Sequence, residues 1–148
     1  MTNETAYLYV IHQPTRTFTG QLEETVQAGD FVKAVDNDDA VASTSGFATG
    51  DIQLGVCDGN GGDDQFCVGI ALEAGVNNDY IAVAMDGVFV VKSSGDIGSG
   101  VACQVSDAAA DNNASLKATI DGEEEYTIGK TLTSASADGK YMVFALNV

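Results

Sequence analysis

Tyr80-Ile-Ala-Val-Ala-Met-Asp-Gly-Val-Phe-Val-Val91 sets two apolar runs of strand length on either side of Asp86-Gly87. Asp-Gly between such runs is the strongest short signal for a two-residue hairpin, because its turn needs positive φ at both central positions. Each run is apolar on both faces rather than alternating, as in a strand buried on two sides of a sandwich or barrel. The stretch predicts an all-β fold with a hairpin at Asp86-Gly87. Asp58-Gly59, Asp121-Gly122 and Asp138-Gly139 predict further turns.

Outward from this stretch, strands are expected over residues 6–11, 31–35, 52–57, 66–72, 101–105, 116–120, 126–132 and 141–146. Seventeen glycines against the single Pro14 suit many tight turns and suit long helices poorly. Leu22 and Val26, four apart, allow a helical turn or two over residues 21–27. The same residues equally suit an extended approach to Gly29.

An internal duplication organises the chain. Val26-Gln-Ala-Gly29 resembles Ile97-Gly-Ser-Gly100, and Phe66-Cys-Val-Gly-Ile-Ala-Leu72 resembles Tyr126-Thr-Ile-Gly-Lys-Thr-Leu132. Each second motif precedes an Ala-bearing turn and a closing strand. The expected fold is therefore a compact small β-barrel or sandwich of two similar half-units, residues 26–148, with an acidic loop insertion within residues 36–64 of the first half. Residues 1–25 read as an extended N-terminal arm around Ala6-Tyr-Leu-Tyr-Val-Ile11. Such a strand either joins its own sheet or adds to a partner's edge, because a bare apolar edge invites aggregation.

Charge is the loudest feature of the composition. Twenty-two Asp and Glu against six Lys and Arg give −16. That excludes ordinary binding to a phosphate backbone, which needs clustered cations. It also suits a salty medium, where self-repulsion is screened, and points to a halophilic or marine source. No run reaches the roughly 20 apolar residues of a membrane span, and Met1-Thr-Asn-Glu-Thr5 lacks the regions of a signal peptide. The expectation is a soluble protein made inside the cell.

Catalytic chemistry finds little to work with. The sole imidazole, His12, lies in the arm beside the sole Pro and Arg, far from any glycine-framed serine. With so many acids, close carboxylate pairs such as those of Glu123-Glu-Glu125 arise on any solvated surface. Asp58, Asn60, Asp63 and Asp64 supply short oxygen ligands and glycine bends of the kind a hard cation requires, but the closing Glu of a calcium loop is missing and a flexible acidic turn is the preferred reading, so no metal is expected. No phosphate-cradling loop or dinucleotide fingerprint occurs, so no cofactor is expected. Asn3-Glu-Thr5 and Asn113-Ala-Ser115 match the glycosylation tripeptide. Cys57 and Cys67 bracket a loop and are expected to approach within bridging distance, and Cys103 is expected to be buried and reduced.

Ala28-Gly-Asp-Phe-Val32, Val68-Gly-Ile-Ala-Leu72, Ile81-Ala-Val-Ala-Met-Asp-Gly-Val-Phe-Val90, Ile97-Gly-Ser-Gly100 and Ile128-Gly129, in that order, resemble the capsid cement, or head decoration, proteins of tailed phages and archaeal tailed viruses. The resemblance covers roughly residues 26–148. It implies a compact β domain without an active site that sits as a homotrimer on the outer surface of a virion, bound to the major capsid protein. The arm residues Tyr7, Leu8, Tyr9, Val10, Ile11, Pro14 and Arg16 are then the candidate capsid contacts. Alternatives are a turret, spike or tail protein, a carbohydrate-binding β module, or a small enzyme of unfamiliar type. The charge gives a first expected outcome: the thermal unfolding midpoint rises between low and molar salt, and a flat midpoint contradicts the halophilic reading.

Overall fold

The β-branched and aromatic runs become strands in a computed structural model that describes residues 8–35, 52–57, 66–106 and 115–148. In chain order they are β1 (Tyr9–His12), β2 (Thr17–Leu22), β3 (Phe31–Ala34), β4 (Gln53–Val56), β5 (Cys67–Ala71), β6 (Tyr80–Ala84), β7 (Asp86–Ser93), β8 (Ala102–Val105), β9 (Ser115–Ala118), β10 (Gly129–Thr131) and β11 (Tyr141–Asn147). A 3₁₀ turn, Glu124–Tyr126, lies between β9 and β10.

The strands close two barrels of one topology. The first runs β2-β4-β3-β5-β6 and the second β7-β9-β8-β10-β11, with β1 added to β7. In each, the first strand pairs antiparallel with the last and closes the ring through a short parallel pairing, β2 with β4 and β7 with β9. Register matches the halves residue by residue. Val32 faces Gly69 as Cys103 faces Gly129, and Leu22 lies beside Leu54 as Ser93 lies beside Leu116. The isolated bridges Val26–Gly75 and Ile97–Ala135 repeat as well.

The duplication expected from the glycine-anchored motifs is thus the architecture itself. Gly69 and Gly129 recur for a steric reason: a Cβ at either would run into the carbonyl oxygen of Ala84 or Ala145, which are themselves equivalent. The extra length of the first half falls mostly between its second and third strands. From Val32 to Leu54 is 22 positions, against 13 between the matching Cys103 and Leu116.

Three expectations need correction. Asp86-Gly87 does not turn a hairpin, because β6 pairs with β2 and β5 whereas β7 pairs with β1, β9 and β11. Only Met85 separates β6 from β7, and the chain passes there from one barrel to the other. Gly87, at φ 115°, supplies the backbone freedom for that passage. The arm drawn over residues 1–25 is too long, since Thr17–Leu22 is a closing strand of the first barrel. Residues 21–27 take the extended alternative, leaving β2 for the Val26 bridge.

β3 shows why several runs are apolar on both faces. Val32 points into the first barrel with Leu22, Leu54, Ile81 and Val83, while its neighbour Phe31 belongs with Ile70 and Ala84 to the cluster that fills the second barrel. The seam between the barrels is therefore core. Each large side chain buried there contributes about 1.5–3 kcal/mol before ordering costs.

All three cysteines are buried and none is in a disulfide. Cys57 and Cys67 do not approach as expected, because β3 lies between their strands: Cys57 bonds Phe31 and Cys67 stands beside Lys33. Two strand spacings, roughly 9–10 Å, exceed the reach of a disulfide. Cys103 is fully buried, as expected.

The shared glycine position gives an expected outcome. Gly69→Ala and Gly129→Ala each lower stability by about 1–3 kcal/mol in urea titrations, since the obstacle is backbone. Gly98→Ala, where the nearest atom to a new Cβ is 3.5 Å away, leaves it nearly unchanged.

Candidate docking surface around the N-terminal strand

β1 lies antiparallel on β7, with Tyr9 opposite Val90, Val10 opposite Phe89 and His12 opposite Val88. The register slips between Val10 and His12. Strand alternation sorts the candidate contacts. Leu8 and Val10 turn inward and pack on the core of the second barrel. Tyr9 and Ile11 turn outward and are 51% and 44% exposed. The strand thus joins its own sheet through β7, which is the first of the two fates open to it. Tyr7 lies outside the described residues.

Beyond β1 the chain turns at half-buried Pro14 and is fastened by Asp86. One carboxylate oxygen of Asp86 accepts the N–H of Thr15 at 2.7 Å and of Arg16 at 3.0 Å, and the other accepts the Thr15 hydroxyl at 2.6 Å. The Arg16 guanidinium stands 3.5 Å away through Nε and donates from its terminal nitrogen to Asn147 Oδ1 at 3.0 Å. Arg16 is therefore engaged with its own chain. The Thr15 hydroxyl, then the Arg16 and Thr15 amides, hold the Asp86 carboxyl at about 2, below its ordinary 3.8. This clip joins the arm to the crossing between barrels. Sequence reasoning missed it, because Asp86 was assigned to a turn.

A second exposed feature lies at the seam. The Phe66 and Tyr126 rings meet edge to face, with centroids 4.8 Å apart and planes at 63°. They border a cleft of about 310 Å³ with Val68, Ile128 and Val148. These two aromatics hold equivalent places in the repeated motifs, so the alignment of residues 66–72 with 126–132 already paired them.

The chemistry-bearing candidates are dispersed. His12 is exposed on β1. Burial pushes the Cys103 thiol up to about 12, so it stays protonated at neutral pH. Asp58, Asn60, Asp63 and Asp64 lie outside the described residues, as do both glycosylation tripeptides. Among the described residues, no cluster of three or more His, Cys, Asp or Glu could hold a metal, and no helix is long and apolar enough to cross a membrane.

With this geometry in view, the fold has a solved counterpart. The chain is similar in structure to the N base of the head fiber protein gp8.5 of bacteriophage phi29, at a TM-score of 0.54 and 16% identity, over 89% of this chain and 93% of that one. At that identity the likeness is one of fold. No protein-family model matches the chain, and no curated protein does.

The clip sets a pH dependence. A carboxyl whose folded value lies below its unfolded one adds stability above about pH 4, and that stability is lost as pH falls toward about 2. Acid unfolding of Asp86→Asn should therefore start from lower stability at neutral pH and converge with the wild type near pH 2. Parallel curves down to that pH would contradict the clip.

Proposed function

We propose that this chain is a structural virion protein that attaches to the outer surface of a viral capsid as a decoration or cement subunit. The observation that carries the reading is the likeness in fold to a phage head-fiber base over nearly the whole of both chains. The ordered glycine-anchored motifs point the same way. Its partner is the major capsid protein, and the copies act as homotrimers. Tyr9 and Ile11, held outward on a strand anchored by Leu8 and Val10, are the arm residues best placed to touch the shell.

The reading assigns no catalytic role, cofactor or metal. A charge of −16 keeps the protein off nucleic acid and directs it to a protein surface. A second reading, the base of a fibre, spike or turret, is favoured by what the structural neighbour is. A carbohydrate-binding module is less well supported. The Phe66 and Tyr126 rings meet at a steep angle rather than forming a flat stacking platform.

The test is to mix the purified chain with undecorated capsids of its own virus and sediment the particles. Saturable co-sedimentation, with added density on the outside of the shell in reconstructions, is the expected result. No co-sedimentation at any salt concentration from low to molar would overturn the reading.

A further inference from the structure

Among the described residues, β2 carries an open sheet edge over residues 17–19. Hydrogen bonds show which atoms face it. Leu22 donates to Asp79 O and Met85 donates to Arg16 O, so the even-numbered residues bond toward β6. Gln21 donates to Ile52 O and Glu23 to Leu54 O, so the odd-numbered residues face the opposite edge. There β4 pairs only with Gln21 and Leu22. The N–H and C=O of Thr17 and Thr19 thus face an edge where, among the described residues, no strand lies.

The duplicate shows what this edge accepts. The matching positions of β7 are Val88, Phe89 and Val90, and β1 lies against them. Phe89, with Val10 opposite, is 1% exposed, whereas its counterpart Phe18 is half-buried. Native edges are usually blunted by charge, proline or a bulge. β2, Thr-Phe-Thr-Gly-Gln-Leu, has neither charge nor proline in a chain with 22 acids. The outer edge of β1, by contrast, is short and irregular at Val10–His12.

We propose that the β2 edge is the docking strand of the capsid-binding surface: it accepts an extended segment of the shell protein by strand addition, with an apolar side chain placed opposite Phe18. The proposal rests on the capsid reading above. A second copy of this chain does not supply the strand. Each copy carries one β1 and one β7 edge that takes it, so exchange of arms leaves one bare edge per copy. Direct pairing of two β2 edges is a two-fold contact that stops at a dimer, unlike the three-fold assembly of the reading above. Against a chain of −16 the shell segment is neutral or basic.

Thr19→Pro tests this. It removes an N–H that bonds nothing within the described chain and places the ring in the path of the added strand, at an edge position that tolerates proline. The expected result on undecorated capsids is binding weakened at least about tenfold, the loss of a backbone hydrogen bond plus a clash. The free variant keeps the wild-type thermal midpoint, and Thr19→Val binds normally. Hydrogen exchange on bound wild-type protein gives an independent readout, with the Thr17 and Thr19 amides becoming slow on the shell. Wild-type binding by Thr19→Pro, or fast exchange at both amides on the shell, overturns the proposal. A large fall in the midpoint of free Thr19→Pro overturns it by showing that this chain covers its own edge, and loss of a solution dimer does so by showing that a second copy does. Failure of the wild type to bind capsids instead removes the capsid reading itself.

Discussion

A strand that closes a barrel with only its last two residues leaves the rest of that edge for another strand to cover, and the fold is arranged around this constraint. It arises twice, because β2 and β7 each make the same short parallel closure with β4 and β9. A bare edge means unpaired backbone and an uncovered aromatic below it. In the second barrel β1 meets both needs, pairing with residues 88–90 and setting Val10 opposite Phe89. Among the described residues there is one such strand for two such edges. The asymmetry between otherwise matching halves follows from that count.

The join between barrels obeys a related logic. With Met85 alone between β6 and β7, the two rings cannot be held apart by a linker, and the outer faces of β3, β5 and β6 pack into the cluster that fills the second barrel. The Asp86 clip ties the approach to β2 to the start of β7 at the same place. Burial holds the seam together, while a charged hydrogen-bond cluster sets its geometry. The strongly acidic composition acts on a different link of the chain of cause. It governs solubility and choice of partner and leaves topology untouched.

Much of this was legible in particular residues. Gly69 and Gly129 marked the duplication because each meets the same carbonyl, a constraint any copy of the unit must keep. The passage at Asp86-Gly87 was misread because a dipeptide that permits positive φ looks alike whether the flanking strands pair with each other or with different barrels. β2 was missed because Gly20 interrupts its alternation. That glycine is required by packing, as a Cβ there would lie 2.7 Å from Leu54 Cγ. β1 was legible as an apolar strand, with neither its inward and outward sides sorted nor its partner visible, since pairing across some 80 positions leaves no local signal. The candidate surface was visible only as an apolar arm. The β2 edge, bare among the described residues, appears once the halves are compared.

Residue-resolved hydrogen exchange on the free protein tests this account most directly. Val88 and Val90 occupy the edge that β1 covers, and Thr17 and Thr19 occupy the matching positions of β2. The account predicts slow exchange at the two valine amides and exchange near the unstructured rate at the two threonine amides. Equal protection at all four positions would contradict it.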